Sequence, residues 1–139
     1  MSFTIKRSFT VPVLKVWEAI THPLQMRQWY FDIPDFKAKV GFEFSFEGGE
    51  KNQIYIHRCT IMEVVPFKKL CYTWLYQGYT GKSLVCFELF AGVNTTTLKL
   101  THTGLESFPE DNPDFSKENF EKGWEEIIGT SLKKFLHRH

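Results

Sequence analysis

The sequence has little of what would assign it to a disulfide-rich, nucleic-acid-binding or membrane class. Its three cysteines, Cys59, Cys71 and Cys86, lack C-x-x-C spacing, so we expect reduced and buried thiols. Seventeen basic and sixteen acidic residues leave a net charge of +1, which predicts no nucleic acid partner. No apolar run approaches the roughly 20 residues of a membrane span, and the first residues lack a signal-peptide core. A cytoplasmic protein is therefore expected.

Motifs of common enzymes and metal sites are also missing. The sequence contains no H-E-x-x-H, G-x-S-x-G, P-loop or Rossmann glycine fingerprint. His22, His57 and His102 lie on different predicted elements without ligand spacing, while His137 and His139 lie at the chain end. We therefore predict no metal ligands, no cofactor and no catalytic residues.

Aromatic residues, in contrast, are abundant at 17%, with fourteen phenylalanines. The segment from Ser116 to His139 predicts one long amphipathic helix, because its apolar residues recur at intervals of three and four. Ser116 is expected to cap this helix. Its apolar face comprises Phe120, Trp124, Ile127, Ile128, Leu132, Phe135 and Leu136.

The segment before this helix predicts mainly strands. Alternating patterns and turn residues indicate strands near residues 3–10, 42–46, 53–65, 70–76, 83–90 and 97–102, with two helices over about 12–22 and 23–29. Strands joined by short turns favour an antiparallel meander, and helices gathered on one side place the chain in the α+β class. We predict a single domain over residues 1–139.

The order of several short patterns resembles START-like (SRPBCC) proteins of the heat-shock-chaperone ATPase activator homologue type. The patterns are Ile5-x-Arg7-x-Phe9, Val11-Pro12, Val16-Trp17, Thr21-x-Pro23, Trp29, Val64-Val65-Pro66, Leu70-x-Tyr72-x-Trp74, Phe87-Glu88-Leu89, Leu98-x-Leu100-x-His102-x-Gly104-Leu105 and Gly123-Trp124.

This resemblance implies a helix-grip fold, in which a curved antiparallel sheet surrounds a C-terminal helix and an apolar cavity. Relatives of this superfamily bind lipids, polyketides, hormones or other apolar small molecules, and a few catalyse reactions on them. The co-chaperone that names the family carries a further N-terminal domain, for which this chain is expected to be too short. The name alone therefore does not give the function.

Candidate ligand contacts divide into polar anchors, walls and a gate. Arg7 and His102 are proposed anchors because each lies on an apolar strand face; the alternatives are an ion pair of Arg7 with Glu63 or Glu88 and a core histidine bonded to backbone. Trp29 and Phe31 could gate the cavity or simply cover the core end. The proposed walls, which could equally be plain core, are Phe44, Phe46, Tyr72, Trp74, Phe87, Trp124 and Ile128.

Gly123 interrupts the predicted helix at a cost of about 1 kcal/mol relative to alanine. Close approach of the helix to the sheet is the expected reason, and a ligand passing over this position is the alternative.

The function predicted first is non-enzymatic binding of a hydrophobic or aromatic small molecule between sheet and helix. A second hypothesis is a stress-response co-chaperone that activates a heat-shock chaperone ATPase through its surface. A third is a small cyclase, dehydratase or hydrolase that uses His102 or Tyr72 as acid or base.

Overall fold

Six antiparallel strands form one curved sheet. The computed structural model describes residues 1–50 and 53–138. The strands are β1 (Ser2–Phe9), β2 (Glu43–Glu50), β3 (Gln53–Val65), β4 (Lys69–Tyr76), β5 (Ser83–Ala91) and β6 (Thr96–Thr103), in the spatial order β1-β6-β5-β4-β3-β2. Every neighbouring pair is antiparallel. The predicted meander is confirmed, and the first strand adds to it beside the last.

Two short helices connect β1 to β2. Helix α1 (Val13–Thr21) begins after Pro12, and α2 (Pro23–Trp29) has its proline in the first turn, where the missing amide hydrogen costs nothing. Val16, Trp17 and Ile20 of α1 are buried, as their helical spacing predicts. These helices pack against β5 and the end of the C-terminal helix, so they close one end of the molecule.

The C-terminal helix runs continuously through α3 (Lys117–Glu126), a π-helical segment (Ile127–Leu132) and α4 (Lys133–Leu136). The side chain of Ser116 accepts a hydrogen bond of 3.1 Å from the backbone N–H of Asn119, which confirms the predicted cap. Of the predicted apolar face, Ile127 and Phe135 are half-buried and the other members are buried. His139, the predicted end of this helix, lies outside the described residues.

The π-helical segment has a simple origin in the spacing of the buried residues. Phe120, Trp124, Ile128, Leu132 and Leu136 are separated by four residues each, and all are buried. On an α-helix, a step of four residues advances about 40° around the axis, so a long run of such steps would turn away from the sheet. The wider π turn rotates less per residue and brings the later side chains back onto the sheet.

The register of the central hairpin corrects our expectation for two of the cysteines. Cys71 on β4 lies directly opposite Cys86 on β5, with 4.1 Å between the Cα atoms, and the two form a disulfide. Residues directly opposite each other on antiparallel strands have closely spaced Cβ atoms, which places the two sulfur atoms in reach of one another. Cys59 remains a buried free thiol.

The combination of a curved six-stranded sheet, a long C-terminal helix and two short helices after the first strand confirms the helix-grip fold and the α+β class. The side chains between sheet and helix form one continuous apolar core. No helix within residues 1–50 and 53–138 is both long and apolar enough to cross a membrane.

Candidate functional site

A cleft of about 890 Å³ opens between the sheet and the first turns of the C-terminal helix. One side is the end of the β2–β3 hairpin together with β4, and the other side is α3 with the turn that precedes it. Its lining residues are Phe31, Gly48, Gly49, Gln53, Tyr55, His57, Trp74, Tyr76, Asp114, Phe115, Asn119, Phe120, Gly123, Trp124 and Ile127. A cleft of this size, whose walls combine aromatic rings with polar side chains such as Gln53, Asp114 and Asn119, has room for a small molecule.

Gly123 explains why α3 leaves the cleft open. It is exposed, and a Cβ built on it would have no neighbour within 4 Å apart from the helix itself. Close packing against the sheet, our first explanation for this glycine, is therefore wrong. The helix carries no side chain at the position that faces the cleft, so the space there remains open. The cost is the low helix propensity of glycine.

His57 on β3 contributes a buried polar group to the opposite wall. Its ring stacks on Phe46 with centroids 4.5 Å apart and meets the edge of Trp74 at 4.8 Å. The ring atom Nδ1 is buried and has no hydrogen-bond partner among the described residues. Burial lowers the pKa of His57 from 6.5 to about 4, so the imidazole is neutral at pH 7.

Gly48 allows this arrangement on the neighbouring strand. A Cβ at Gly48 would lie 3.0 Å from Cε1 of His57 and 3.0 Å from Cε1 of Phe31. Both rings therefore pack against bare backbone, and Phe31 stacks on Phe46 with centroids 4.2 Å apart. A larger residue at this position would push the two rings into the cleft.

Trp124 is held in the cleft wall by a hydrogen-bonded network. Its indole N–H donates to Nδ1 of His102 at 3.1 Å, so this nitrogen carries no proton and Nε2–H donates to the hydroxyl of Ser83 at 2.8 Å. The Ser83 hydroxyl donates in turn to the backbone carbonyl of Trp74 at 2.8 Å. Burial lowers the pKa of His102 to about 3, which keeps the network in this neutral form.

The rings of β4 add a second hydrogen bond along the sheet side. The indole N–H of Trp74 donates to the hydroxyl of Tyr76 at 2.8 Å, two residues along the same strand face. Burial raises the pKa of Tyr76, so its hydroxyl stays protonated at neutral pH. Trp74 also packs against Trp124 with centroids 5.2 Å apart, which joins the sheet to the helix behind the cleft.

A carboxylate lies at the mouth of the cleft. The hydroxyl of Tyr55 donates to Oδ2 of Asp114 at 2.5 Å, and burial together with this bond raises the pKa of Tyr55. The side-chain amide of Asn119 donates to the backbone carbonyl of Asp114 at 2.8 Å. The side-chain oxygen of Asn112 accepts from the backbone N–H of Asp114 at 3.0 Å. The carboxylate is thus fixed between β3 and α3.

Ten of the eleven residues proposed from the sequence fall into three groups in the structure, and Arg7 is the exception. Phe31, Trp74 and Trp124 line the cleft. Trp29 is buried elsewhere, with its indole N–H donating to the carbonyl of Ala19 at 2.8 Å, so it covers the core end. Residues buried in the core without lining the cleft are Phe44, Phe46, Tyr72, Phe87, His102 and Ile128.

Arg7 departs most from its expected place. Its neighbours Ile5 and Phe9 are buried, whereas the Arg7 side chain is exposed and donates to the carbonyl of Lys6 at 2.8 Å. A Cβ at Gly129 of the C-terminal helix would lie 3.4 Å from Nε of Arg7. Because β1 is an edge strand, the side chain leaves the sheet beside the helix and reaches solvent, away from the cleft.

Two residues assigned acid or base roles in the enzyme hypothesis do not reach the cleft. The Tyr72 hydroxyl pairs with that of Tyr30 at 2.6 Å, and burial raises the pKa of both tyrosines well above the usual value. His102 uses both ring nitrogens in the network with Trp124 and Ser83. Among the described residues no group of three or more His, Cys, Asp or Glu side chains could hold a metal ion.

Sequence reasoning missed Tyr55, His57, Tyr76 and Asp114 as cleft residues. Tyr55, His57, Cys59 and Ile61 form the buried face of β3, but the sequence does not distinguish this face, because Ile54, Ile56 and Met62 on the other face are apolar as well and yet exposed. Nothing in the local pattern marks Asp114, whose place depends on the turn before α3 meeting the β2–β3 hairpin.

Comparison with protein families gives one match that covers most of the chain. Residues 10–137 match the model of the family described as "Activator of Hsp90 ATPase homolog 1-like protein". A search of curated proteins finds no significant match.

Solved structures with low sequence identity share the fold. Protein CV1439 from Chromobacterium violaceum superimposes with a TM-score of 0.82 at 20% identity, covering 99% of this chain and 98% of that one. Protein BH1534 from Bacillus halodurans gives 0.77 at 22%, with 99% and 97% coverage. CalU16 from Micromonospora echinospora gives 0.75 at 24%, with 98% and 76% coverage. At these identities the likeness establishes the fold alone.

Proposed function

The chain belongs to the Activator of Hsp90 ATPase homolog 1-like family, and from this premise we propose that it binds an apolar or aromatic small molecule in the cleft beside α3. The role is non-covalent binding. The open space above Gly123 carries the proposal, because this glycine has no packing partner that would require it. A helix whose only task was to cover the sheet would have an apolar side chain there.

The walls suit a planar guest. A ring entering the cleft meets the side chains of Trp74 and Trp124, whose indole nitrogens already donate to Tyr76 and His102. These walls are therefore rigid before the ligand arrives, which lowers the entropy cost of binding. His57 is proposed to help orient the guest, since its neutral ring lies in the wall of the cleft.

A neutral fluorescent probe, N-phenyl-1-naphthylamine, tests the proposal directly. Its emission should rise and saturate on titration with the protein, since the cleft removes the dye from water. Gly123→Leu places a side chain in the open space. It should weaken binding by about tenfold or more, because the dye then loses apolar contact with the walls of the cleft. Gly129→Ala, on the same helix outside the cleft lining, is the matched control and should bind as the wild type does.

Two results would reject the proposal. The dye could fail to bind the wild type at any concentration that keeps it soluble. Alternatively, the dye could bind Gly123→Leu as tightly as the wild type, which would place the dye elsewhere on the protein.

The family match supports a second candidate, activation of a heat-shock chaperone ATPase through the outer surface. Phe67, Phe90 and Val93 are exposed at the end of the sheet that carries the β3–β4 and β5–β6 turns, away from the cleft. This role predicts that the protein stimulates ATP hydrolysis by a purified chaperone of the 90-kDa class and that Gly123→Leu leaves the stimulation unchanged. Phe90→Asp should abolish it. No stimulation by the wild type would reject the role.

A further inference from the structure

The charge of the cleft narrows the class of ligand. Among the described residues that line it, Asp114 alone has a side chain that is charged at neutral pH. His57 is neutral there, because burial lowers its pKa to about 4. None of the described lining residues is a lysine or an arginine. The described lining residues therefore present one negative charge and no positive charge to a guest.

Asp114 is positioned as a binding group. Its Oδ2 accepts the Tyr55 hydroxyl at 2.5 Å, and its backbone is fixed by Asn112 and Asn119. Within the described part of the chain, Oδ1 has no hydrogen-bond partner. A fixed carboxylate with one free oxygen at the mouth of an aromatic cleft can accept a hydrogen bond from a charged donor on the ligand.

A cluster of packed aromatic rings lies beside this carboxylate. Tyr55 lies 5.3 Å from Phe115 and 5.4 Å from Tyr76, and Tyr76 lies 4.7 Å from Phe115, between ring centroids. A cation near such rings is attracted by their negative faces, so the rings and the carboxylate favour the same sign of charge. A ligand carboxylate would be repelled by Asp114, and no lysine or arginine among the described lining residues would compensate for the hydration it loses.

We propose that the guest of the cleft is an aromatic molecule carrying a protonated amine, with its ammonium at Asp114 among Tyr55, Tyr76 and Phe115 and its apolar ring further inside. The inference rests on the proposed binding function and specifies its ligand class. Fatty acids and other carboxylates are excluded as preferred guests by the same argument.

Three naphthalene probes of equal shape test the sign of the charge. These are 2-naphthylmethylamine, 2-naphthylmethanol and 2-naphthoic acid, which are cationic, neutral and anionic at pH 7. Calorimetric titration at low salt should show the amine binding about fivefold more tightly than the alcohol, the combined effect of one exposed charge pair and one cation–π contact. The acid should bind at least about tenfold more weakly than the amine. High salt should reduce the preference, because it screens exposed charges.

Asp114→Asn removes the charge and keeps an oxygen that can accept the Tyr55 hydroxyl. It should bring the affinity for the amine to within about twofold of that for the alcohol. Asp111→Asn is the control. Asp111 is exposed, lies three residues before Asp114 in the chain and does not line the cleft, so this variant removes the same charge without changing the cleft. This variant should keep the preference for the amine.

The outcomes separate the two proposals. If the alcohol binds and the amine does not bind more tightly, or if Asp114→Asn keeps the preference, the inference about the amine is wrong while ligand binding stands. If Asp111→Asn loses the preference as well, the effect belongs to the net charge of the protein and the inference is again overturned. If none of the three probes binds, the proposed function itself fails.

Discussion

Replacement of Gly123 by alanine separates stability from binding. The site is helical and exposed, and the added methyl group would contact nothing within 4 Å, so the change introduces no strain. Alanine is favoured over glycine inside a helix by about 1 kcal/mol, because glycine loses more backbone freedom on folding. We therefore expect Gly123→Ala to raise the free energy of unfolding by about 1 kcal/mol and the melting temperature by about 4 °C.

The same methyl group enters the cleft and should weaken the binding of N-phenyl-1-naphthylamine by a few-fold. Thermal and urea unfolding measure the first effect, and a fluorescence titration measures the second. Gly129→Ala provides the comparison, since it should stabilise the helix and leave binding unchanged; its Cβ meets only the end of the flexible Arg7 side chain, at 3.4 Å. A loss of stability in Gly123→Ala would show that the position is packed, and unchanged binding in Gly123→Leu would refute a ligand above it.

The buried histidines predict loss of stability in acid. Unfolded histidine takes up a proton near pH 6.5, whereas folded His57 and His102 resist protonation down to about pH 4 and about pH 3, so the unfolded state holds more protons as pH falls below about 6.5. Each of the two histidines should lower the free energy of unfolding by about 2 kcal/mol between pH 7 and pH 5. In urea titrations, the free energy of unfolding of His57→Gln should therefore fall less over this range than that of the wild type; an equal fall would contradict this. The disulfide predicts that dithiothreitol lowers the melting temperature of the wild type and does not change that of a Cys71→Ser/Cys86→Ser variant. The expected loss of stability in the wild type is about 3 kcal/mol, the value for a closed loop of about 15 residues. Mass spectrometry finding two free thiols at these positions before reduction would refute it. Trp29→Phe should cost about 1 kcal/mol through its lost hydrogen bond and leave dye affinity unchanged; weakened dye binding without loss of stability would show that Trp29 gates the cleft after all.

The fold could be predicted closely because its signals are local and repeated. The period of two in β1 and β6 and the apolar stripe of the C-terminal helix each indicate a buried face without knowledge of the partner. The spacing of four between the five buried residues of the C-terminal helix also indicated the π-helical segment, since four residues exceed one α-helical turn.

The candidate site was harder to predict from the sequence, because its position depends on where the helix crosses the sheet. Tyr72 and Phe87 are prominent aromatics on central strands, yet both are buried: Tyr72 packs against Phe44 and Phe87, and Phe87 packs against Trp124 of the C-terminal helix. The cleft opens instead where the helix begins, beside His57 and Tyr55 at the hairpin end of β3. The pattern along one strand gives the buried face and does not give the point at which the helix stops covering it.

Arg7 and the cysteine pair show the same limit. Alternation along β1 predicted that Arg7 faces inward, but an edge strand offers a long side chain a route around the sheet to water. The Cys71–Cys86 pair depends on the register between β4 and β5, which is set across the hairpin by tertiary pairing. Both features are properties of the assembled sheet.

The most direct test of cleft binding uses the four tryptophans. Two of them, Trp74 and Trp124, line the cleft, while Trp17 and Trp29 are buried elsewhere. Two-dimensional ¹H–¹⁵N spectra resolve the indole N–H signals, which single Trp→Phe variants assign. On titration with 2-naphthylmethanol, binding in the cleft predicts saturable shifts of the Trp74 and Trp124 signals, with those of Trp17 and Trp29 unchanged. Shifts at Trp17 and Trp29 alone, or no shifts at all, would contradict it.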